Sequence, residues 1–293
     1  MNDVQSLTVP LSERGIVAIS GPDTRSFLQG LITNDIEKVS PTRAIYAGLL
    51  SPQGKYLFDF FIADDGQRLL FDCEAARLEE FIRTLGLYRL RAEVEIVDVS
   101  RGWRVWALLG GDGGGQPGAC QAMDGGLRFV DPRLAELGSR AILAADIEPP
   151  EPQRGFGVYE ELRLSLGLPD GSRDIAAGRQ TFLEANAKEL AGVDFEKGCY
   201  VGQEVTARMN YRGTLKKRLL PIVFEGPAPA PGSLIAAAER TAGDVRSAID
   251  GRAMALVRLE FLQGPLELED GRPCRVDPPS WLALDGTAKS SPS

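Results

Sequence analysis

Residues 43–73 read RAIYAGLLSPQGKYLFDFFIADDGQRLLFDC, three apolar runs parted by two turn signals. Arg43 to Leu50, Tyr56 to Ala63 and Arg68 to Cys73 are short and rich in β-branched and aromatic residues, so they read as strands. Ser51-Pro52-Gln53-Gly54 and Asp64-Asp65-Gly66 supply the turns, and the whole predicts an antiparallel meander.

Outward from the meander, Gly15 to Ile19 reads as a strand, and Gly21-Pro22-Asp23 breaks it before a helix carrying Phe27, Leu28 and Leu31. Ala75 to Leu87 has helical spacing, with Leu78, Phe81, Ile82 and Leu85 on one face. Strands over Ala92 to Val99 and Trp103 to Leu109 follow. Strands in runs with helices laid against them predict α+β layering and exclude a βαβ parallel sheet.

The glycine-rich stretch 110–126 contains Gly113-Gly114-Gly115-Gln116-Pro117-Gly118, formally a G-x-G-x-x-G. A dinucleotide site requires that motif to open a helix, and Pro117 with the polar residues after it offers none, so a loop or subdomain junction is expected. Leu127 to Val130 and Arg140 to Leu143 read as paired strands, and Glu148-Pro149-Pro150-Glu151-Pro152 as a stiff connector. A helix over Gly157 to Leu166 and a short helical segment over Thr181 to Leu190 precede residue 197. Strands over Leu219 to Phe224, Ala253 to Phe261 and Leu266 to Leu268 predict a small β-rich C-terminal module.

The chain of 293 residues, 43% of them hydrophobic, is long enough for about two domains with real cores. Its net charge of −8 argues against a general polyanion-binding surface. Histidine is absent. That excludes Ser-His-Asp triads, Cys-His dyads, H-E-x-x-H zinc sites and imidazole bases, and leaves carboxylates, Lys, Tyr or Cys for proton chemistry. Cys73, Cys120, Cys199 and Cys274 form no C-x-x-C pair and resemble neither a disulfide framework nor a cluster-binding loop. With no signal-peptide pattern at Met1-Asn2-Asp3-Val4 and no apolar stretch of membrane-spanning length, the expectation is a soluble, reduced, cytoplasmic protein and a monomer.

Chemistry concentrates in Lys197-Gly198-Cys199-Tyr200-Val201-Gly202-Gln203-Glu204. Val201, Val205 and Met209 give a helical stripe beside the i, i+4 pair Glu204 and Arg208, which predicts Cys199 at a helix N-terminus. There the macrodipole and Lys197 would favour the thiolate; the alternative is a small buried hydrophobe in a turn. Arg208, Arg212, Lys216, Lys217 and Arg218 form an acid-free basic run that suits a polyglutamate tail, a phosphate or an RNA backbone, or else is a solvated connector. Asp35 ends a polar triplet, and Asp59 sits among aromatic residues in Leu57-Phe58-Asp59-Phe60-Phe61, where burial would raise its pKa or demand a partner. A turn residue and a solvent-facing strand residue are the ordinary alternatives.

The motif K-G-C-Y-x-G-Q-E at 197–204 resembles the signature of the YgfZ family, folate-binding relatives of the glycine-cleavage T-protein implicated in iron–sulfur cluster assembly or repair. Phe182 to Asn186, Val193 to Glu204 and Ala207-Arg208 are similar to that family as well. Phe27 to Asp35, Ser51 to Lys55 with Leu57-Phe58-Asp59, and Leu162-Arg163 with Gly167 are similar to segments of T-proteins, so the resemblance spreads over about residues 14–220. It departs where T-proteins carry two adjacent aspartates and this chain has Phe58-Asp59, and T-proteins lack the cysteine motif.

The resemblance implies a T-protein-like unit of two α+β subdomains over residues 1–215, a β-barrel-like module over 216–286, and a disordered tail at 287–293. It further implies a tetrahydrofolate-binding protein that supports iron–sulfur enzymes. Cys199, Lys197, Glu204 and Asp59 would do chemistry, and Asn34, Asp35, Asp59, Arg163, Tyr200, Gln203 and Arg208 would contact the folate, with no resident metal or cluster. Its partners would be iron–sulfur enzymes or assembly proteins. A folate-dependent aminomethyl- or methyltransferase and a non-catalytic folate-responsive adaptor, linked to tRNA modification, are the alternatives.

Overall fold

The computed structural model describes residues 6–110, 115–149, 152–213 and 215–284, so the tail at 287–293, parts of the glycine-rich stretch and part of the proline connector lie outside the described residues. The meander forms as expected: β3 (Ile45–Leu50), β4 (Tyr56–Asp64) and β5 (Leu69–Glu74) pair antiparallel, starting at most two residues from the sequence limits. β2 (Arg14–Ser20) and β6 (Glu95–Asp98) complete a sheet in the order β3-β4-β5-β2-β6. All six residues of β3 are buried because both faces of this sheet are covered.

On one face Ala47, Leu49, Phe60 and Phe71 pack with Leu28 of α1 (Thr24–Gln29) and with Leu78, Phe81 and Leu85 of α2 (Leu78–Arg89). On the other, Tyr46, Phe61 and Leu70 meet a second sheet through Val105, Ala107, Phe129 and Ile142. That sheet has the order β1-β7-β10-β9-β8, from β1 (Leu7–Pro10), β7 (Trp103–Leu109), β8 (Cys120–Met123), β9 (Gly126–Val130) and β10 (Ser139–Ala144). The layering is helix, sheet, sheet, an α+β architecture. Gly115 to Gly118 lead into strand β8 and open no helix, which removes the dinucleotide site on structural grounds.

α3 (Phe156–Ser165) and α4 (Gly171–Asp174) carry the chain to a closed barrel of β11 (Lys217–Phe224), β12 (Leu234–Ala237), β13 (Arg240–Ile249), β14 (Arg252–Arg258), β15 (Leu266–Leu268) and β16 (Pro273–Val276). Residues 259–261, expected as strand, form a 3-10 turn. Closure removes exposed strand edges from this module.

Arg163 joins the barrel to the body. It is fully buried, and all five of its N–H groups are engaged: Glu160 takes two (2.7 and 2.6 Å), Asp174 one (2.8 Å), the Leu168 carbonyl one (3.1 Å) and Ser247 of β13 one (2.8 Å). No donor remains for a ligand. The residue for which the resemblance implied a folate contact ties the barrel to the body.

Candidate functional site

α5 begins at Gln203, with Gly202 left-handed at φ 82° as its N-cap, so Cys199 lies before the helix and not in its first turn. Residues 194–202 instead form a strap. The Asp194 amide donates to the Thr33 carbonyl (3.0 Å) and the Val201 amide to the Gly30 carbonyl (3.1 Å), tying the strap to the loop after α1. Lys197 Nζ donates to the carbonyls of Gln29 (2.9 Å), Ile32 (2.6 Å) and Asn34 (2.9 Å). Those three bonds use every ammonium proton, so Lys197 has none to give the Cys199 sulfur. Burial pushes this ammonium down to about 8, with Asp35 and Asp194 pulling the other way.

Gly202 has a steric reason, since a Cβ there would collide with the Ser51 carbonyl oxygen, and a Cβ on Gly54 would lie 2.7 Å from Val205 Cβ. The strap thus seats on the β3–β4 turn. Gly198 has open space around it and no positive φ, so the glycine on that side leaves room beside the thiol without being required by packing. Cys199 is exposed, whereas Cys73, Cys120 and Cys274 are buried. Tyr200 is the buried side chain of the strap, its ring centroid 5.1 Å from Lys197 Nζ, and burial pushes its hydroxyl up to about 12.

The other motif residues serve this scaffold. Asn34 is buried and donates to the carbonyls of Tyr46 and Ala191, both at 2.8 Å. Asp35 caps a 3-10 turn, accepting from the Glu37 amide (3.1 Å) and from Gln29 Nε2 (2.9 Å). Gln203 Oε1 accepts from the Tyr200 amide at 3.3 Å. Glu204 and Arg208 are exposed on α5. The basic run is divided: Arg212 is exposed at the helix end, while Arg218 is taken by Asn186 (2.9 Å) and Glu189 (2.8 Å).

Asp59 belongs to a second centre. It is buried, which removes the solvent-facing reading, and its oxygens accept from Tyr46 (2.9 Å) and Tyr56 (2.6 Å), whose hydroxyls burial and Asp59 itself push well above the usual tyrosine value. Phe58 points the other way and packs tilted against Phe81 with ring centroids 5.3 Å apart, so no second carboxylate stands beside Asp59 from that position. Between the sheets, Asp72 takes Arg14 (2.5 Å) and Arg140 (2.8 Å), and Arg140 reaches the Tyr159 hydroxyl (2.9 Å).

A cavity of about 110 Å³ opens here, walled by Arg14, Glu74, Phe156, Tyr159, Asp170 and Gly171, among others. Asp59 stands behind Gly171, where a Cβ would come within 3.6 Å of its Oδ1 and 3.2 Å of Glu74 Oε2. Among the described residues, the walls include neither Asp59 itself nor any of 197–204. Sequence reasoning missed Arg14, Glu74, Asp72, Tyr159 and Asp170. The one available signal was Asp72 inside Leu69-Leu70-Phe71-Asp72-Cys73, the same acid-among-apolar pattern that picked out Asp59.

Two stacked sheets and a closed barrel define an aminomethyltransferase-type fold. The structure is similar to the crystal structure of glycine cleavage system aminomethyltransferase T from Bartonella henselae, with a TM-score of 0.77 over 95% of this chain and 87% of that chain; at 15% identity the likeness is one of fold. Residues 216–284 match the CAF17, C-terminal β-barrel domain. The chain is 32% identical to the mitochondrial iron–sulfur cluster assembly factor IBA57 of Mus musculus, over 88% of this chain and 79% of that protein. It is 31% identical to that of Homo sapiens, over 91% and 81%. The chain belongs to the IBA57 family. These relatives are mitochondrial, which overturns the cytoplasmic expectation. Free thiols speak for a reducing environment but name no compartment.

Proposed function

We propose that this protein is an iron–sulfur cluster assembly factor of the YgfZ type that binds a tetrahydrofolate in the central cavity and presents Cys199 to partner proteins of the assembly pathway. One observation carries the reading. Cys199 is the exposed cysteine of the chain, on a strap pinned by Lys197, Tyr200 and Gly202 to the loops that frame the T-protein-like body. Among the described residues no group of three or more Cys, Asp or Glu side chains converges to hold a metal ion. On this reading a cluster is cargo, met by Cys199 together with ligands from another chain.

The cavity walls fit the head of a folate. Glu74 and Asp170 offer carboxylates to the paired N–H donors of a pterin ring, and Phe156 and Tyr159 offer aromatic faces. At about 110 Å³ the enclosed space is smaller than the ~150 Å³ that holds a single benzene ring, so a bicyclic head would enter it edge-on and lie partly in the open mouth. Bound there, tetrahydrofolate would supply one-carbon carriage at N5 of its ring and N10 of its arm. Tyr46 and Tyr56 hold the Asp59 carboxylate in place through hydroxyls that stay protonated. The transferase alternative has Asp59 alone to work with, because Asp35 is occupied as a turn cap.

The test pairs two measurements on wild type and Cys199→Ala. Calorimetry with tetrahydrofolate should show binding to both, and only wild type should restore iron–sulfur enzyme activity in cells lacking the protein. Full restoration by Cys199→Ala removes the thiol from the function. Absence of tetrahydrofolate binding to wild type removes the folate.

A further inference from the structure

The chain carries 12 Phe, 6 Tyr and 3 Trp, and all but two of them are buried or half-buried. The exceptions are Phe195, 37% exposed, and Tyr211, 87% exposed. Phe195 stands on the strap just before Cys199, and Tyr211 in the last turn of α5 (Gln203–Arg212) just after it. Lys188 links the two stretches: its Nζ lies 5.8 Å from the Phe195 ring centroid and donates to Asn210 Oδ1 at 2.6 Å. Two bare aromatic rings and the exposed thiol therefore crowd onto the surface that the strap and α5 form together.

The helix leaves that surface open because it buries a single residue, Thr206. At ~100° per residue, Glu204, Arg208 and Tyr211 stand about 140–160° round the helix from Thr206, with Arg212 beside them. All four are exposed. Among the described residues neither Arg208 nor Arg212 pairs with a carboxylate, Glu204 included, whereas the next arginine in the chain, Arg218, is held by Glu189. In a chain of net charge −8 this is a local positive face, so an acidic partner repelled elsewhere is steered here.

We propose that the strap and the outward face of α5 form the docking surface for a partner protein whose own face is acidic around the thiolates that hold the cluster. Phe195 and Tyr211 are its aromatic anchors, and Arg208 and Arg212 meet its carboxylates. Aromatic residues and arginine are the side chains enriched at interface centres, and they carry most of the binding energy there. Single-stranded RNA also seeks rings and cations, but the exposed carboxylates of Glu196 and Glu204 stand among them and repel a phosphate backbone, while a protein can set a donor against each. The inference rests on the reading above that Cys199 meets partner proteins.

The test uses wild type, Cys199→Ala, Phe195→Ser and the double variant Tyr211→Ser with Arg212→Glu, in cells lacking the protein and as purified full chain. Tyr211 and Arg212 are exposed, so the double variant retains the fold even if Phe195→Ser does not. In cells, the double variant should restore roughly tenfold less iron–sulfur enzyme activity than wild type. In solution, glutamate-rich and lysine-rich peptides each carry a thiopyridyl disulfide; the Cys199 thiolate attacks it, keeps the peptide sulfur and releases thiopyridone, whose absorbance times the reaction. Wild type should react roughly tenfold faster with the glutamate-rich peptide, and the ratio should fall toward one in the double variant and in wild type at roughly 1 M salt, where screening acts over about 3 Å. Equal rates with the two peptides in wild type overturn the acidic partner. Restoration as in wild type by the double variant, with Cys199→Ala inactive, overturns the docking surface and leaves the thiol role standing. Full restoration by Cys199→Ala overturns the reading beneath it. A uridine oligonucleotide that binds wild type at physiological salt and not the double variant assigns the surface to RNA and overturns the protein partner.

Discussion

Lys197→Met tests the division of labour within the strap. The ammonium makes three hydrogen bonds to carbonyls of residues 29–34, at 2.6 to 2.9 Å. At about 1 kcal/mol net for each, discounted from the ~1.5–3 kcal/mol of a charged donor because Lys197 is only partly buried, the substitution removes about 3 kcal/mol from the docking of strap to loop. Every 1.4 kcal/mol is tenfold, so local opening should become about 100-fold more frequent. Hydrogen exchange followed by mass spectrometry reads this directly, as about 100-fold faster exchange in residues 29–35 and 194–202 with the barrel unchanged. Lys197→Arg should rescue little, because a planar fork cannot fan its N–H groups toward three carbonyls as an ammonium does. Alkylation of Cys199 across pH separates the two roles for the lysine. If Lys197 acts on the carbonyls, the pH profile of the variant overlays that of wild type. An upward displacement of that profile with exchange left as in wild type would refute the carbonyl role and restore the thiolate one.

Three further outcomes are expected. Arg163→Met should strand Asp174, which is fully buried, beside Glu160; breaking such a pair costs about 3–5 kcal/mol, so the thermal midpoint should fall by roughly 10 °C, read by circular dichroism. Gly202→Ala forces a side chain into a left-handed position and against the Ser51 carbonyl, so it should speed Cys199 alkylation more than Gly198→Ala does, whose Cβ meets open space. Stability should also decline in acid. Asp131 and Glu160 are held below the usual carboxylate range because arginines outweigh their burial, Arg133 and Arg140 for the first and Arg163 and Arg173 for the second. Depressed folded values mean stability that is present above the unfolded values of ~4 and lost as pH falls through the folded ones, while Asp174, which burial pushes up, works in the opposite direction. The thermal midpoint should therefore drop steeply below about pH 4, and a flat profile down to pH 3 would contradict the ion pairs.

The meander and the layering were legible because strand length, apolar content and turn residues are local properties, and local properties survive in a single sequence. Residues 27–35, 51–55 and 197–204 were each visible too, but their convergence was not. It depends on Val201, Lys197 and Gly202 finding backbone carbonyls some 150 residues away, and backbone groups carry no sequence label. Nothing local to residues 156–165 announces that a barrel strand will cover the Arg163 side of α3, so its burial was not legible either. The start of α5 was misplaced because Gly198 and Gly202 look alike in sequence, and only the φ of 82° at Gly202 marks where the helix begins. β13, with its Gly, Ala, Ser and Arg residues, lacks the β-branched run that signals a strand.

The placement of the four thiols makes the unmodified chain its own spectroscopic probe. Cys73, Cys120 and Cys274 lie in cores, and burial pushes each thiol above its ordinary value, so a maleimide dye meets Cys199 first. A fluorophore attached there would ride on the strap beside Tyr200, reporting its seating in real time without any cysteine having to be engineered out. Partner docking and strap release could then be followed as separate events on one molecule.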